Sequence, residues 1–142
     1  MASAAIICLG NRYVAGDDIG PRLFDHFSEL AVPEDVEIID GGLCGLDLLR
    51  SIEGRRRVVF ADAVSGLAPT GEITLLSGAQ VAAYAGVYGH AAGLPYLLNM
   101  LPRVYCQPLP EITLLGVAGE ADADLIASLA QRCLELATHG AV

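Results

Sequence analysis

Two aspartates and one histidine in this sequence have the chemistry of a metal site. Asp17 lies shortly after the dipeptide Gly10-Asn11, Asp62 follows an apolar run, and His90 lies among small residues. Two carboxylates and an imidazole supply oxygen and nitrogen donors, a set that suits zinc, nickel, manganese or iron. Three such ligands also leave coordination positions open.

Alternating strand and helix signals predict that these three residues meet on one edge of a single sheet. Apolar runs of strand length are Ala4–Leu9, Val36–Ile39, Val58–Ala61, Glu72–Leu76 and Ile112–Val117. Helical spacing covers Ile19–Leu30, Leu46–Ile52, Ala91–Leu101 and Asp122–Thr138. Repeated strand–helix units predict an α/β fold, with one three-layer domain over residues 1–142. In it, a mostly parallel sheet of about five strands has helices on both faces.

This architecture gives several acidic residues a common location. Asp17 comes after the first strand, Asp40 ends the second, Asp62 ends the third, and Glu120 follows the last. Ligands of open α/β sheets bind at the carboxyl ends of the strands, so we expect all four at one edge. The alternative for each is a turn or helix-cap carboxylate, and Asp18 is predicted to cap the helix that begins directly after it.

The charge balance and the missing phosphate-binding motifs argue against nucleic acids and nucleotides as ligands. Seventeen acidic residues against eight arginines, with no lysine, give a net charge of −9. Nucleic-acid binding needs a concentrated positive surface. A P-loop needs a lysine, and the glycines after the first strand do not fit the dinucleotide pattern G-x-G-x-x-G. The one basic cluster, Arg55-Arg56-Arg57, is predicted to form a solvated turn between a helix and a strand.

The cysteines and the N-terminus favour the cytoplasm. The four cysteines are scattered without a C-x-x-C pair, a pattern typical of reduced thiols, and Cys8 and Cys133 are predicted to be buried. Residues 1–5 lack the positive flank of a signal peptide. We therefore expect a cytoplasmic protein.

One long uncharged segment has to be distinguished from a membrane helix. Residues 73–102 contain no Asp, Glu, Lys or Arg, and a membrane span needs only ~20 apolar residues. However, Gln80, His90, Asn99 and several glycines interrupt this segment. We predict instead a strand, a glycine-rich loop and a buried or partner-facing helix.

Five short segments, in order along the chain, carry a resemblance to a known family. They are Leu9-Gly10-Asn11 with Gly16-Asp17 and Gly20; Asp40-Gly41-Gly42 with Gly45-Leu46; Asp62-Ala63-Val64 with Pro69 and Gly71-Glu72-Ile73; His90 with Leu94 and Leu97-Leu98; and Leu115-Gly116-Val117. Together they resemble the nickel–iron hydrogenase maturation proteases, endopeptidases that trim the C-terminal tail of the hydrogenase large subunit. The sequence departs from the family pattern at three places: Asp18, where glycine is usual; Leu43, where threonine is common; and Ala118-Gly119, which lacks a proline-containing segment.

The resemblance implies a phosphorylase/hydrolase-like fold and a metal-dependent endopeptidase. It makes Asp17, Asp62 and His90 the metal-binding and catalytic residues, and Asp40 an acid that supports them or contacts the substrate. It also implies that the triad binds nickel already inserted in the large-subunit precursor, which is the expected partner. Nickel is then a recognition element and a Lewis acid for the scissile carbonyl, and zinc or cadmium can serve as a surrogate.

Two other functions remain open at this point. One is an ordinary metallohydrolase that carries its own zinc at the same triad. The other is a non-catalytic hydrogenase-binding chaperone on the same fold. Neither nucleic acid nor a membrane is an expected partner.

Overall fold

The central sheet has five strands in the order β2-β1-β3-β5-β4. The computed structural model describes residues 2–43, 45–64, 73–83, 94, 97–98 and 109–140. The strands are β1 Ala4–Leu9, β2 Val36–Gly42, β3 Arg57–Val64, β4 Ile73–Ser77 and β5 Glu111–Ala118. The first four strands in the sheet order run parallel, and β4 is antiparallel to β5. The predicted mostly parallel sheet is confirmed.

Helices cover both faces of this sheet. They are α1 Ile19–Phe27, α2 Leu49–Ile52 after a 3₁₀ turn at Leu46–Leu48, α3 Gly78–Ala83 and α4 Ala123–His139. The face that contacts α1 and α4, here called the α1 face, carries the core residues Ile6, Cys8, Val59, Ala61 and Leu115. The face that contacts α2 and α3, here called the α2 face, carries Ile7, Leu9, Val58, Phe60 and Leu114.

Burial on both faces explains the apolar composition of the central strands. All six residues of β1 are buried, as expected for a parallel strand covered on each side. Helix α4 buries residues at helical spacing, among them Leu129, Cys133 and Leu136. Asp122 caps this helix, since its Oδ1 accepts a hydrogen bond from the Leu125 N–H at 2.8 Å.

Several element boundaries differ from the sequence prediction. Helix α1 ends at Phe27 rather than Leu30, because the chain turns at Ser28, whose hydroxyl donates to the Asp25 carbonyl. Strand β2 continues through Asp40 to Gly42. Strand β3 continues through Asp62 to Val64 because its pairing with β5 extends that far. Asp40 and Asp62 are therefore strand residues and do not end their strands.

The helix predicted at Ala91–Leu101 lies largely outside the described residues. Within it, Leu94, Leu97 and Leu98 are helical and buried on the α2 face. These three leucines agree with a buried helix at this position. The glycine-rich loop predicted before this helix also lies largely outside the described residues and stays a prediction.

The arginine cluster does not form the predicted solvated turn. Arg55 is buried, and its guanidinium donates to Ser51 O at 2.9 Å, Ala2 O at 2.8 Å and Glu37 Oε1 at 2.8 Å. Arg56 is exposed, and Arg57 begins β3. Arg55 thus ties the N-terminus and β2 to the end of α2, a role that requires partners distant in sequence.

The two cysteines predicted to be buried are buried and free. Burial, with the negative charge of Asp40 as a smaller cause, raises the pKa of the Cys8 thiol to about 12. Burial also raises the pKa of the Cys133 thiol. Cys44 and Cys106 lie outside the described residues. No helix in the described part of the chain has the length and apolar character needed to cross a membrane.

Candidate functional site

The candidate site lies where β1 and β3 reach the carboxyl edge of the sheet. These strands are parallel neighbours, with Cys8 opposite Ala61. The loop that leaves β1 after Leu9 therefore begins beside Asp62. Asp17 is in that loop, so the topology brings the two aspartates together at this edge.

Two glycines allow the loop to fold tightly against the sheet. A Cβ atom at Gly10, where φ is +139°, would lie 2.3 Å from the Asp17 carbonyl oxygen. A Cβ atom at Gly20 would lie 1.9 Å from the Leu9 carbonyl oxygen. Glycine at these two positions lets the loop and the first turn of α1 contact the end of β1 directly.

Hydrogen bonds within the loop fix the position of Asp17. The Asn11 N–H donates to the Asp17 carbonyl oxygen at 2.9 Å and to its carboxylate Oδ2 at 3.1 Å. The Asp17 N–H donates to the Val14 carbonyl at 3.0 Å. Asp17 is only 7% exposed, so its carboxylate is held at the sheet edge before any ligand arrives.

Asp62 is a buried carboxylate in the interior of β3. It is 4% exposed, and its Oδ1 accepts a hydrogen bond from the Ala63 N–H at 2.8 Å. Burial raises the pKa of Asp62 to about 8; the bond from Ala63 opposes this rise, and the nearby Asp17 charge adds to it. Asp62 therefore retains a proton at neutral pH, and a cation bound between the two carboxylates would favour its ionised form.

The other predicted acids are placed differently. Asp40 is exposed and pairs with Cys8, so its side chain lies on the α1 face. Asp62 lies between Ala61 and Ala63, and because side chains alternate along β3, it is directed to the opposite, α2 face. Asp18 occupies the N-cap position of α1, but its side chain makes no capping hydrogen bond, which corrects the predicted capping role. Glu120 follows β5 at the same edge and is exposed. Asp17 and Asp62 are thus the only pair of these acids that are both buried.

His90 lies outside the described residues, so its role stays a prediction. Leu94, four positions further along the chain, is fully buried on the α2 face, the face to which Asp62 is directed. Within the described ranges, no group of three or more His, Cys, Asp or Glu side chains is placed to hold a metal ion. A metal ion bound by Asp17 and Asp62 would therefore need a further ligand from outside the described residues.

A cleft beside the aspartates was not anticipated from the sequence. It has a volume of ≈ 230 Å³, and its lining includes Asn11, Tyr13, Asp40 and Leu43. The available signal was the apolar pair Tyr13-Val14 within an otherwise polar and glycine-containing loop. Single apolar residues are also common in surface loops that bind nothing. The sequence pattern alone therefore did not identify the cleft.

Comparison with known proteins identifies the family. A family model described as "Hydrogenase maturation protease" matches residues 21–133. The Hydrogenase 2 maturation protease of Escherichia coli strain K12 is 30% identical over 120 residues, which cover 82% of this chain and 73% of that protein. The chain belongs to the hydrogenase maturation protease family. The resemblance found in the sequence segments is thereby confirmed.

Solved structures of hydrogenase maturation proteases share this fold. The hydrogenase maturating endopeptidase HybD from Escherichia coli aligns with a TM-score of 0.75 at 26% identity, covering 95% of this chain and 88% of that chain. HybD from Thermococcus kodakarensis aligns with a TM-score of 0.70 at 22% identity and covers 97% of each chain. The second likeness concerns the fold alone. Family and fold together make this protein an endopeptidase of the hydrogenase maturation type.

Proposed function

We propose that this hydrogenase maturation protease removes the C-terminal extension of a nickel-loaded hydrogenase large-subunit precursor. In this proposal Asp17, Asp62 and His90 bind the nickel that the precursor carries. The nickel belongs to the substrate, so an intact recognition site forms only in the complex. Placement in the cytoplasm remains part of the proposal.

The observation that carries this proposal is the pairing of two buried carboxylates at one sheet edge. Asp17 and Asp62 are 7% and 4% exposed, and carboxylates of this kind are seldom buried without a partner. A divalent cation is such a partner, because it compensates both negative charges at once. Carboxylate oxygens with one imidazole nitrogen also form a ligand set that nickel or zinc accepts.

The chain's own residues then have distinct tasks. Asp17, fixed by the Asn11 N–H, is the preorganised ligand. Asp62 carries a proton in the absence of a cation and gives it up as the cation binds, because its raised pKa is caused mainly by burial of an unpaired charge. Peptide hydrolysis consumes one water, and it produces a new carboxyl terminus on the subunit and a new amino terminus on the released tail.

Incomplete coordination by the protease explains how it would distinguish loaded from empty precursor. Two aspartates and one histidine leave positions that the precursor's own ligands already occupy. A precursor without nickel offers the aspartates no cation, and its scissile bond is then not held at the site. Binding energy from the nickel contact is then used to position the scissile bond, and such positioning lowers the barrier of the reaction. Zinc or cadmium in the precursor serves as a surrogate for nickel in binding.

The test compares nickel-loaded and nickel-free precursor. We expect the tail to be lost only from the loaded form, and Asp17→Asn to abolish that loss. Asp18→Asn is the matched control, because Asp18 is the adjacent aspartate and its side chain makes no capping hydrogen bond. The products are separated by mass, which also gives the cleavage site.

Three outcomes would contradict the proposal in different ways. Equal cleavage of both precursor forms would show that the enzyme does not recognise nickel. Stoichiometric zinc bound tightly to the purified protein would favour a metallohydrolase with its own metal. Processing that survives Asp17→Asn and Asp62→Asn together would favour a non-catalytic hydrogenase-binding chaperone.

A further inference from the structure

Two apolar side chains lie exposed beside the candidate site. Tyr13, in the loop that contains Asp17, has 91% of its surface exposed, and Leu43, just after β2, has 66%. Both line the cleft that begins at Gly10 and Asn11. Large apolar groups that are exposed and gathered at one place typically mark a binding surface.

Hydrogen bonds hold the loop backbone at Tyr13 before any partner binds. The Tyr13 N–H donates to Asn11 Oδ1 at 2.9 Å. The neighbouring Arg12 guanidinium makes two hydrogen bonds to the Asp25 carboxylate of α1, at 2.6 and 3.1 Å. An aromatic side chain on a fixed backbone loses little conformational freedom on docking. Tyr13 therefore has the properties of an interface anchor.

The dimensions of the cleft favour a single side chain of a bound polypeptide as its occupant. Its volume of ≈ 230 Å³ is below the about 300–1,000 Å³ of sites that enclose a small-molecule ligand. Tyr13, Pro21 and Leu43 provide apolar walls. The cleft is also continuous with the candidate site, because Asn11 lines it and donates to the Asp17 carboxylate.

We infer that this cleft binds an apolar side chain of the large-subunit precursor, in an extended segment near the one that is cut. The inference rests on the proposed function, because the precursor is the chain that the proposal brings to Asp17. Tyr13 and Leu43 contact this side chain and do not contact the cation. The docking contact is therefore independent of nickel, in contrast to the contact made by the aspartates.

Binding and cleavage by a Tyr13→Ala variant test this inference. With nickel-free precursor, we expect the Kd measured by biolayer interferometry to rise at least about tenfold. With nickel-loaded precursor, we expect KM to rise by a similar factor and kcat to stay within about twofold, because the contact is the same in ground and transition states. Tyr13→Phe keeps the aromatic ring and is expected to behave as wild type.

Leu109→Ala is the matched control for loss of an exposed apolar side chain. Leu109 is 42% exposed and precedes β5, at the amino-terminal end of the parallel strands and so away from the candidate site. Its variant is therefore expected to bind as wild type does. Unchanged binding by Tyr13→Ala, with cleavage intact in the wild type, overturns this inference alone. A wild-type chain that cleaves neither precursor form overturns the proposed function and this inference with it.

Discussion

The N–H of Asn11 donates to two oxygens of Asp17, the main-chain carbonyl at 2.9 Å and the carboxylate Oδ2 at 3.1 Å. A single donor thus closes the loop and orients the side chain that the loop presents. The two effects are coupled, because a movement of Asn11 away from Asp17 weakens both bonds. The geometry of the loop is therefore a direct determinant of the proposed ligand position.

Replacing Asp62 with Asn is expected to stabilise the metal-free protein at alkaline pH. The pKa of Asp62 in the folded state, about 8, exceeds the value of about 3.9 in an unfolded chain. The folded state therefore holds the proton more tightly, and wild-type stability falls as the pH rises from about 4 to about 8. At pH 9 we expect Asp62→Asn to raise the free energy of unfolding by about 1–3 kcal/mol.

Urea unfolding at several pH values between 5 and 9 measures this effect. Asp40→Asn is the control, because Asp40 is exposed and its charge costs little. The same pH dependence in wild type and Asp62→Asn would show that Asp62 is not the group responsible.

Replacing Gly20 with Ala is expected to disturb the site through the backbone. The new Cβ would lie 1.9 Å from the Leu9 carbonyl oxygen, so α1 and the loop before it have to move away from β1. We expect a loss of about 1–3 kcal/mol in unfolding free energy and reduced precursor cleavage. Gly45→Ala is the control, since among the described residues its Cβ meets only the flexible side chain of Asp47. Equal stability of the two variants would contradict the close contact between α1 and β1.

Replacing Arg55 with Ala is expected to destabilise the fold without changing the residues of the candidate site. Its side chain is 3% exposed, and its guanidinium bridges Ser51, Ala2 and Glu37. The half-exposed Glu37 carboxylate regains water, so the expected loss is about 1.5–3 kcal/mol in urea unfolding. Arg56→Ala, which removes the exposed neighbour, is expected to change stability by less than about 0.5 kcal/mol. Similar losses for both arginines would indicate that burial of Arg55 is unimportant.

The buried thiols are expected to react only when the protein unfolds. Burial raises the pKa of both Cys8 and Cys133, and the thiolate is the reactive form. In a variant with Cys44→Ser and Cys106→Ser, Ellman's reagent should therefore modify neither thiol under native conditions and both in denaturant. Rapid modification of the native variant would place one of these cysteines at the surface.

The sequence predicted those features that depend on local pattern. The limits of β1 were correct because a strand buried on both faces reads as an uninterrupted apolar run. Asp62 was placed after its strand because aspartate is disfavoured in strands, whereas pairing with β5 carries β3 on to Val64. Arg55 was expected in solvent because its partners Ala2 and Glu37 are 53 and 18 residues away. Such long-range partners leave no trace in a local charge pattern.

The opposite orientations of Asp40 and Asp62 have a geometric consequence for any bound chain. Asp40 and Pro21 place the cleft on the α1 side of the sheet, while Asp62 is directed to the α2 side. A polypeptide that contacts both has to cross the top of the sheet, and an extended chain advances at most ~3.6 Å per residue. An extended stretch makes that crossing with the fewest residues. The enzyme would then be selective for the conformation of its substrate as well as for its composition, and a tail folded onto its own subunit would be a poor substrate until it detached.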